Sequence, residues 1–131
     1  MSHAMSQGFR REDPPGLYCV ELRTADWEGS VRWYRETLGL KVLVRVIDDG
    51  YALLAAGETR LALLARETPG DASKRISLAF EVNDLEPIVQ RLEKMGSAIS
   101  KVKTDEEGLR EVSTTDPDDN RIRLFCWPRG R

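Results

Sequence analysis

A capped amphipathic helix set between strands occurs twice in this chain, and that repetition limits the possible folds more than any single motif. The first copy runs from Thr24 to Leu40, T-A-D-W-E-G-S-V-R-W-Y-R-E-T-L-G-L. Asp26 is placed to cap it, because its carboxylate can accept from the free N–H groups of a first helical turn. Trp27, Val31, Tyr34 and Leu38 recur at i, i+4, i+7 and i+11, one apolar stripe on a helix of about three and a half turns. Gly39 stands where helices commonly end in a left-handed residue. Val82-Asn83-Asp84-Leu85-Glu86 repeats the opening, and Gly96 repeats the stop. Between them Leu85, Ile88, Val89, Leu92 and Met95 repeat the stripe. The two aspartates are 58 residues apart and the two glycines 57. Two equivalent units therefore share one small domain, with Asp26 and Asp84 as the expected N-caps.

Alternation of apolar and polar residues supplies strands around each helix. From Leu17 to Arg23, Tyr18, Val20 and Leu22 alternate with Cys19, Glu21 and Arg23, a half-buried strand. Lys41–Val46, Tyr51–Ala55 and Thr59–Ala65 follow, separated by the turn residues Asp48-Asp49-Gly50 and Gly57-Glu58, as an antiparallel meander. Residues 67–74 read as a linker. The second unit opens with a strand over Ile76–Val82, and its helix carries Pro87 in the first turn, where a missing N–H costs little. Ala98–Val102 is the next expected strand, Lys103–Gly108 a polar turn, and Leu109–Thr115 another strand. The last strand, from Arg121 to Trp127, follows a tight turn at Asp116-Pro117-Asp118-Asp119-Asn120. The expected fold class is α+β, with two βαβββ modules (17–66 and 75–128) inside one domain, 15–131. Residues 1–14 lack periodicity and read as a disordered tail, with Met1-Ser2-His3-Ala4-Met5 resembling a cloning scar before a native start at Met5. That tail holds His3, the only histidine of the chain.

At 131 residues the chain can build one real core but not two independent ones. A net charge of −2 gives no general attraction to nucleic acid or to an anionic membrane. The absence of an apolar run of spanning length, or of a charged-then-apolar leader, sets the expectation of a cytoplasmic protein. Cys19 and Cys126 fall on expected strands and read as core or pocket thiols of such a protein, with a disulfide as the lesser reading.

A sheet covered by helices on one face leaves the other as a concave surface. Cys19, Glu21 and Arg23 should line it, with Ser77, Ala79 and Glu81, and with Arg121, Arg123 and Trp127. The bland reading is that Glu21, Glu81 and Glu111 pair with the arginines at a wet sheet surface. The sharper one is that Arg123, with Ser77 and Cys19, forms a polar binding point able to take a carboxylate or phosphate bidentately. Glu21 or Glu111 would serve as a general base only if burial raised its pKa. Cys19 has no histidine to activate it as a nucleophile. Trp127 either closes the pocket by stacking or caps the end of the core. Trp33 lies off the helix stripe and is expected at a module seam, a dimer seam or the chain's own flank.

The motifs L-R-T-A-D-W-E-G-S-V-R-W-Y-R-E-T-L-G-L, F-E-V-N-D-L-E and D-P-D-D-N-R-I-R-L together resemble the vicinal oxygen chelate superfamily, the glyoxalase, bleomycin-resistance and extradiol dioxygenase group. The resemblance covers Leu17 to Trp127. It implies an eight-stranded open half-barrel with helices on its outer face, and often a homodimer. Metal-dependent members place His, Gln or Glu on the first, fourth, fifth and eighth strands, and those positions fall here on Cys19, Ala62, Ser77 and Arg123. Alanine offers no donor, serine is a poor one, and a guanidinium repels a divalent cation. No metal and no cofactor are therefore expected. Asp119 replaces the glycine usual in the last turn, and aspartate tolerates left-handed geometry. The expected function is metal-free binding of a small organic ligand, in a pocket of Cys19, Glu21, Ala62, Ser77, Glu111, Arg123 and Trp127. The alternatives are a lyase, isomerase or dioxygenase of the same superfamily with a shifted or degenerate metal site, and a structural or regulatory dimer with no ligand. A second copy of the chain is the expected protein partner, and neither nucleic acid nor membrane is.

Overall fold

A computed structural model describes residues 13–128. The tail up to residue 12, with His3 and the suggested start at Met5, and the last three residues lie outside the described residues. The first module contains β1 (Val20–Thr24), α1 (Trp27–Glu36), β2 (Lys41–Val46), β3 (Tyr51–Ala56) and β4 (Thr59–Ala65). The second contains β5 (Ser77–Glu81), α2 (Glu86–Lys94), β6 (Lys103–Thr104), β7 (Arg110–Thr115) and β8 (Arg121–Cys126). Each module folds into a four-stranded mixed sheet, ordered β1-β4-β3-β2 and β5-β8-β7-β6. In both, the first strand runs parallel to the last while the meander pairs antiparallel. The sheets approach along β1 and β5, where Val20–Leu22 and Ile76–Leu78 line a shared crevice. No ladder joins them among the described residues, and the eight strands form no closed barrel.

Most of each helix stripe is buried as the periodicity predicts, but Leu38 and Val89 are only half-buried and Met95, past the end of α2, is exposed. Trp27, Val31 and Tyr34 from α1 and Leu85, Ile88 and Leu92 from the second unit belong to one core cluster. That cluster also holds Leu54, Leu61 and Leu63 of the first sheet and Val112, Ile122 and Leu124 of the second. Burying such side chains contributes about 1.5–3 kcal/mol each before entropy is counted. The Trp27 indole N–H donates to the Leu63 carbonyl at 3.1 Å, fixing the height of α1 on β4. Asp26 caps α1, accepting from Gly29 N–H at 3.1 Å. Gly39 and Gly96 both take positive φ, as their place after each helix requires. Asp119 does too, with φ 67°, and the turn it closes is intact.

Three expectations of local structure are corrected. The first strand starts at Val20, not Leu17, because Arg60 takes the Tyr18 carbonyl (3.0 Å) and lies over its ring, leaving Leu17 and Tyr18 exposed. Asp84 is not the N-cap of α2: Leu85 holds that position with no side-chain cap, and Asp84 accepts from Glu86 N–H from one residue further out. Residues 98–102 are not a strand. The Ser100 hydroxyl accepts the Ser113 N–H at 2.9 Å, replacing the carbonyl a ladder would use, and only Lys103–Thr104 completes a bridge to β7.

Candidate functional site

Strand register decides what the concave face contains. Across the second sheet it places Ser77, Arg121 and Thr115 in one row, then Ala79, Arg123 and Ser113, then Glu81, Phe125 and Glu111. The matching rows of the first sheet are Glu21, Ala62 and Leu53, then Arg23, Leu64 and Tyr51. The two halves of the surface therefore differ in chemistry: hydroxyls and guanidinium groups on the second sheet, mainly apolar side chains beyond β1 on the first.

Of Cys19, Ala62, Ser77 and Arg123, the positions at which the resemblance leads metal ligands to be expected, only Ser77 and Arg123 line a common cavity. Ser77 and Arg123 line one cavity of about 480 Å³ with Ser100, Ser113, Thr115 and Arg121. Glu21 lines a smaller neighbouring crevice of about 160 Å³, which shares Ser77 and Arg121 with the first. Cys19, Ala62, Glu111 and Trp127 line neither cavity. Ala62 has no accessible surface at all. Among the described residues no three His, Cys, Asp or Glu side chains come together as a metal site. This donor set does not fit a metal centre.

Arg123 is already engaged. Its guanidinium donates to Glu111 at 3.0 Å and lies 5.0 Å from the Phe125 ring centroid. Both partners of the pair are about one-third exposed, so solvent screening keeps its contribution to stability below about 1 kcal/mol. The Arg121 side chain, one row away, makes no hydrogen bond or ion pair among the described residues. It is therefore the open cation of the cavity, which Arg123 also lines. Trp127, just past the end of β8, stands edge-on to Phe125, ring centroids 6.4 Å apart.

On the first sheet, burial raises the pKa of the Cys19 thiol, and Glu21 raises it further against a smaller opposing effect of Arg60. The thiol is thus less ionised at neutral pH than a free cysteine, which argues against a nucleophile. Both cysteines are free. Burial likewise raises Tyr51, followed by the influence of Cys19, Tyr18 and Glu21. Sequence reasoning named neither Tyr51 nor the hydroxyls of Ser100, Ser113 and Thr115. Ser113 and Thr115 could have been found by parity, since they alternate with the buried Val112 and Thr114. Ser100 carried no such signal, because its segment is not a strand.

Residues 16–124 match the family described as the Glyoxalase/Bleomycin resistance protein/Dioxygenase superfamily, and the chain belongs to it. The protein YraH of Bacillus subtilis (strain 168) is 29% identical over 123 residues, covering 83% of this chain and 96% of its own. The fold is shared with the fosfomycin resistance protein FosX from Mesorhizobium loti, with a TM-score of 0.70 and 17% identity over 89% of this chain and 96% of that one. It is shared also with lactoylglutathione lyase from Agrobacterium tumefaciens, with a TM-score of 0.64 and 18% identity over 86% of this chain and 94% of that one. At such identities these two likenesses are of fold alone.

Proposed function

We propose that this chain is a metal-free binding protein for a small organic anion, received on the concave face of the second module. The observation that carries this reading is the grouping of Arg121 and Arg123 with the hydroxyls of Ser77, Ser100 and Ser113 around one cavity. Two guanidinium groups and several neutral donors suit a carboxylate, phosphate or phosphonate, because charge-assisted hydrogen bonds are the strong ones. A cavity of about 480 Å³ is of ordinary ligand size. Glu21 lines the neighbouring crevice, which shares Ser77 and Arg121 with the site, and would help set the shape of what enters.

A homodimer in the cytoplasm is part of the same reading. Exposed Leu43, Val44 and Val46 along the edge strand β2, with Ile47 just after it, favour association, since an uncovered apolar edge recruits another chain. Sedimentation at micromolar concentration tests the dimer. Free Cys19 and Cys126 suit a reducing compartment. No helix of the described residues is long and apolar enough to cross a membrane.

The second reading is a lyase, isomerase or dioxygenase with a displaced metal site. A lactoylglutathione lyase and a fosfomycin resistance protein share the fold, so catalysis and resistance both occur on it. The test is a thermal-shift screen of small carboxylates, phosphates and phosphonates, repeated on Arg121→Ala/Arg123→Ala. A ligand at 100 times its Kd stabilises by about 2.7 kcal/mol, and the double variant should lose that gain while remaining folded. Stabilisation that survives the double substitution overturns the assignment. Stoichiometric Zn²⁺, Ni²⁺, Mn²⁺ or Fe²⁺ retained through dialysis would favour the enzyme instead.

A further inference from the structure

On the opposite side of the molecule, α1 and α2 meet near their C-terminal ends and leave a groove of about 480 Å³ between them. Its floor is set by three contacts. The Thr37 hydroxyl meets Met95 Sδ at 3.3 Å, Arg91 Nε donates to the Thr37 carbonyl at 3.1 Å, and Trp33 packs edge-on against Tyr34. Met95 is 54% exposed there, and Pro117 of the second module closes one end. The rim carries Arg32, Arg91 and Lys94. Arg32 and Lys94 make no hydrogen bond or ion pair among the described residues, and Arg91 has only its Nε committed. The two carboxylates that also line the groove are already occupied. Asp26 caps α1, and Glu36 is paired with Arg35 at 3.0 Å.

We infer that this groove is a second binding site, separate from the concave cavity, for a small organic anion with an apolar, preferably aromatic, body. The body lies on Met95 and Pro117, over the small part of the otherwise buried Trp33 that lines the groove. The anionic group is met by Arg32 and Lys94 and by the free nitrogens of Arg91. Arg91 is held in place by the Thr37 carbonyl before any ligand arrives, and such preorganisation lowers the entropy lost on binding. An unpaired cationic rim around an apolar floor selects against neutral ligands of the same shape, because the charge-assisted contacts go unmade.

The experiment is a fluorescence titration of the intact protein with 8-anilinonaphthalene-1-sulfonate and, separately, with the neutral N-phenyl-1-naphthylamine, which keeps the rings without the sulfonate. One saturable sulfonate site is expected, with the neutral compound bound about ten-fold more weakly. Arg32→Glu/Lys94→Glu should weaken the sulfonate about ten-fold or more, and Arg32→Gln alone should weaken it less. Both side chains are exposed and unpaired, so circular dichroism and melting should be unchanged. Arg121→Ala/Arg123→Ala should leave sulfonate binding intact, which separates this site from the concave one. The inference is overturned if the neutral compound binds equally well, if no saturable site is found, or if charge reversal at positions 32 and 94 has no effect. A loss of sulfonate binding only in the Arg121/Arg123 variant would also overturn it, by placing the probe in the other cavity.

Discussion

The Tyr34 hydroxyl donates to Asp116 Oδ2 at 2.5 Å, so a helix of the first module and a turn of the second share one buried hydrogen bond. Tyr34 is fully buried and Asp116 nearly so. The aspartate also organises its own turn: Oδ1 accepts from Asp118 N–H and Asn120 N–H, and Oδ2 from the Asn120 side-chain amide. With every lone pair directed at a donor, the carboxylate is buried without being orphaned. The turn that leads into β8, and so aims Arg121 and Arg123, is thereby tied to α1.

Tyr34→Phe should cost about 1.5–3 kcal/mol, the range for a hydrogen bond to a charged group. The ring is retained, so the loss is that of the bond and not of a cavity. A urea titration should show a lower midpoint with an unchanged slope. A loss below about 0.5 kcal/mol would mean that packing alone holds the modules together.

Stability should fall at alkaline pH, and Tyr34 should carry part of the fall. Burial first, then the charge and hydrogen bond of Asp116, hold its pKa well above the ordinary tyrosine value of 10.0. Below that value both folded and unfolded chains keep the proton, and nothing changes. Above it the unfolded chain releases a proton that the folded chain retains, so unfolding gains about 1.4 kcal/mol per pH unit for that group. Tyr51 contributes in the same direction. Denaturation measured between about pH 9 and 11 should show a shallower decline in Tyr34→Phe than in the parent.

The two helix starts should respond differently to alanine. Asp26→Ala removes a true cap and should cost about 1 kcal/mol. Asp84→Ala removes an exposed contact from outside the cap position and should cost roughly half that or less. Leu92→Ala, in the fully buried stripe of α2, should cost about 2–5 kcal/mol. Equal effects at the two aspartates would contradict the offset between the helix starts.

Glu111→Gln should strengthen binding of an anion on the concave face. The substitution removes the charge that now holds Arg123, freeing its guanidinium for a ligand, while the amide can still accept from it. A several-fold lower Kd is expected, about 0.5–1 kcal/mol, with little change in melting because the pair is partly exposed. Weaker binding in this variant would show that Glu111 itself contacts the ligand.

Most of the fold was legible in the sequence because its signals are local. The stripes of Trp27, Val31 and Tyr34 and of Leu85, Ile88 and Leu92 report one helix face each, and alternation in β1 and β8 reports one face of each sheet. Gly39, Gly96 and Asp119 mark left-handed positions that few residues tolerate. That Ala62, Ser77 and Arg123 offer no good metal donor could also be seen in the chain alone. Local patterns say which way a side chain faces, not what it meets there. Tertiary structure alone decided that Ser77 and Arg123 share a cavity while Cys19 and Ala62 stay out of it, because the gap between β1 and β5 is set by how two modules pack. It decided that Arg123 would reach Glu111, two residues along β7, and leave Arg121 open. It decided too that Tyr34 would meet Asp116 across 82 residues of chain, since a buried hydroxyl and a buried carboxylate each need a partner that only the docked modules supply.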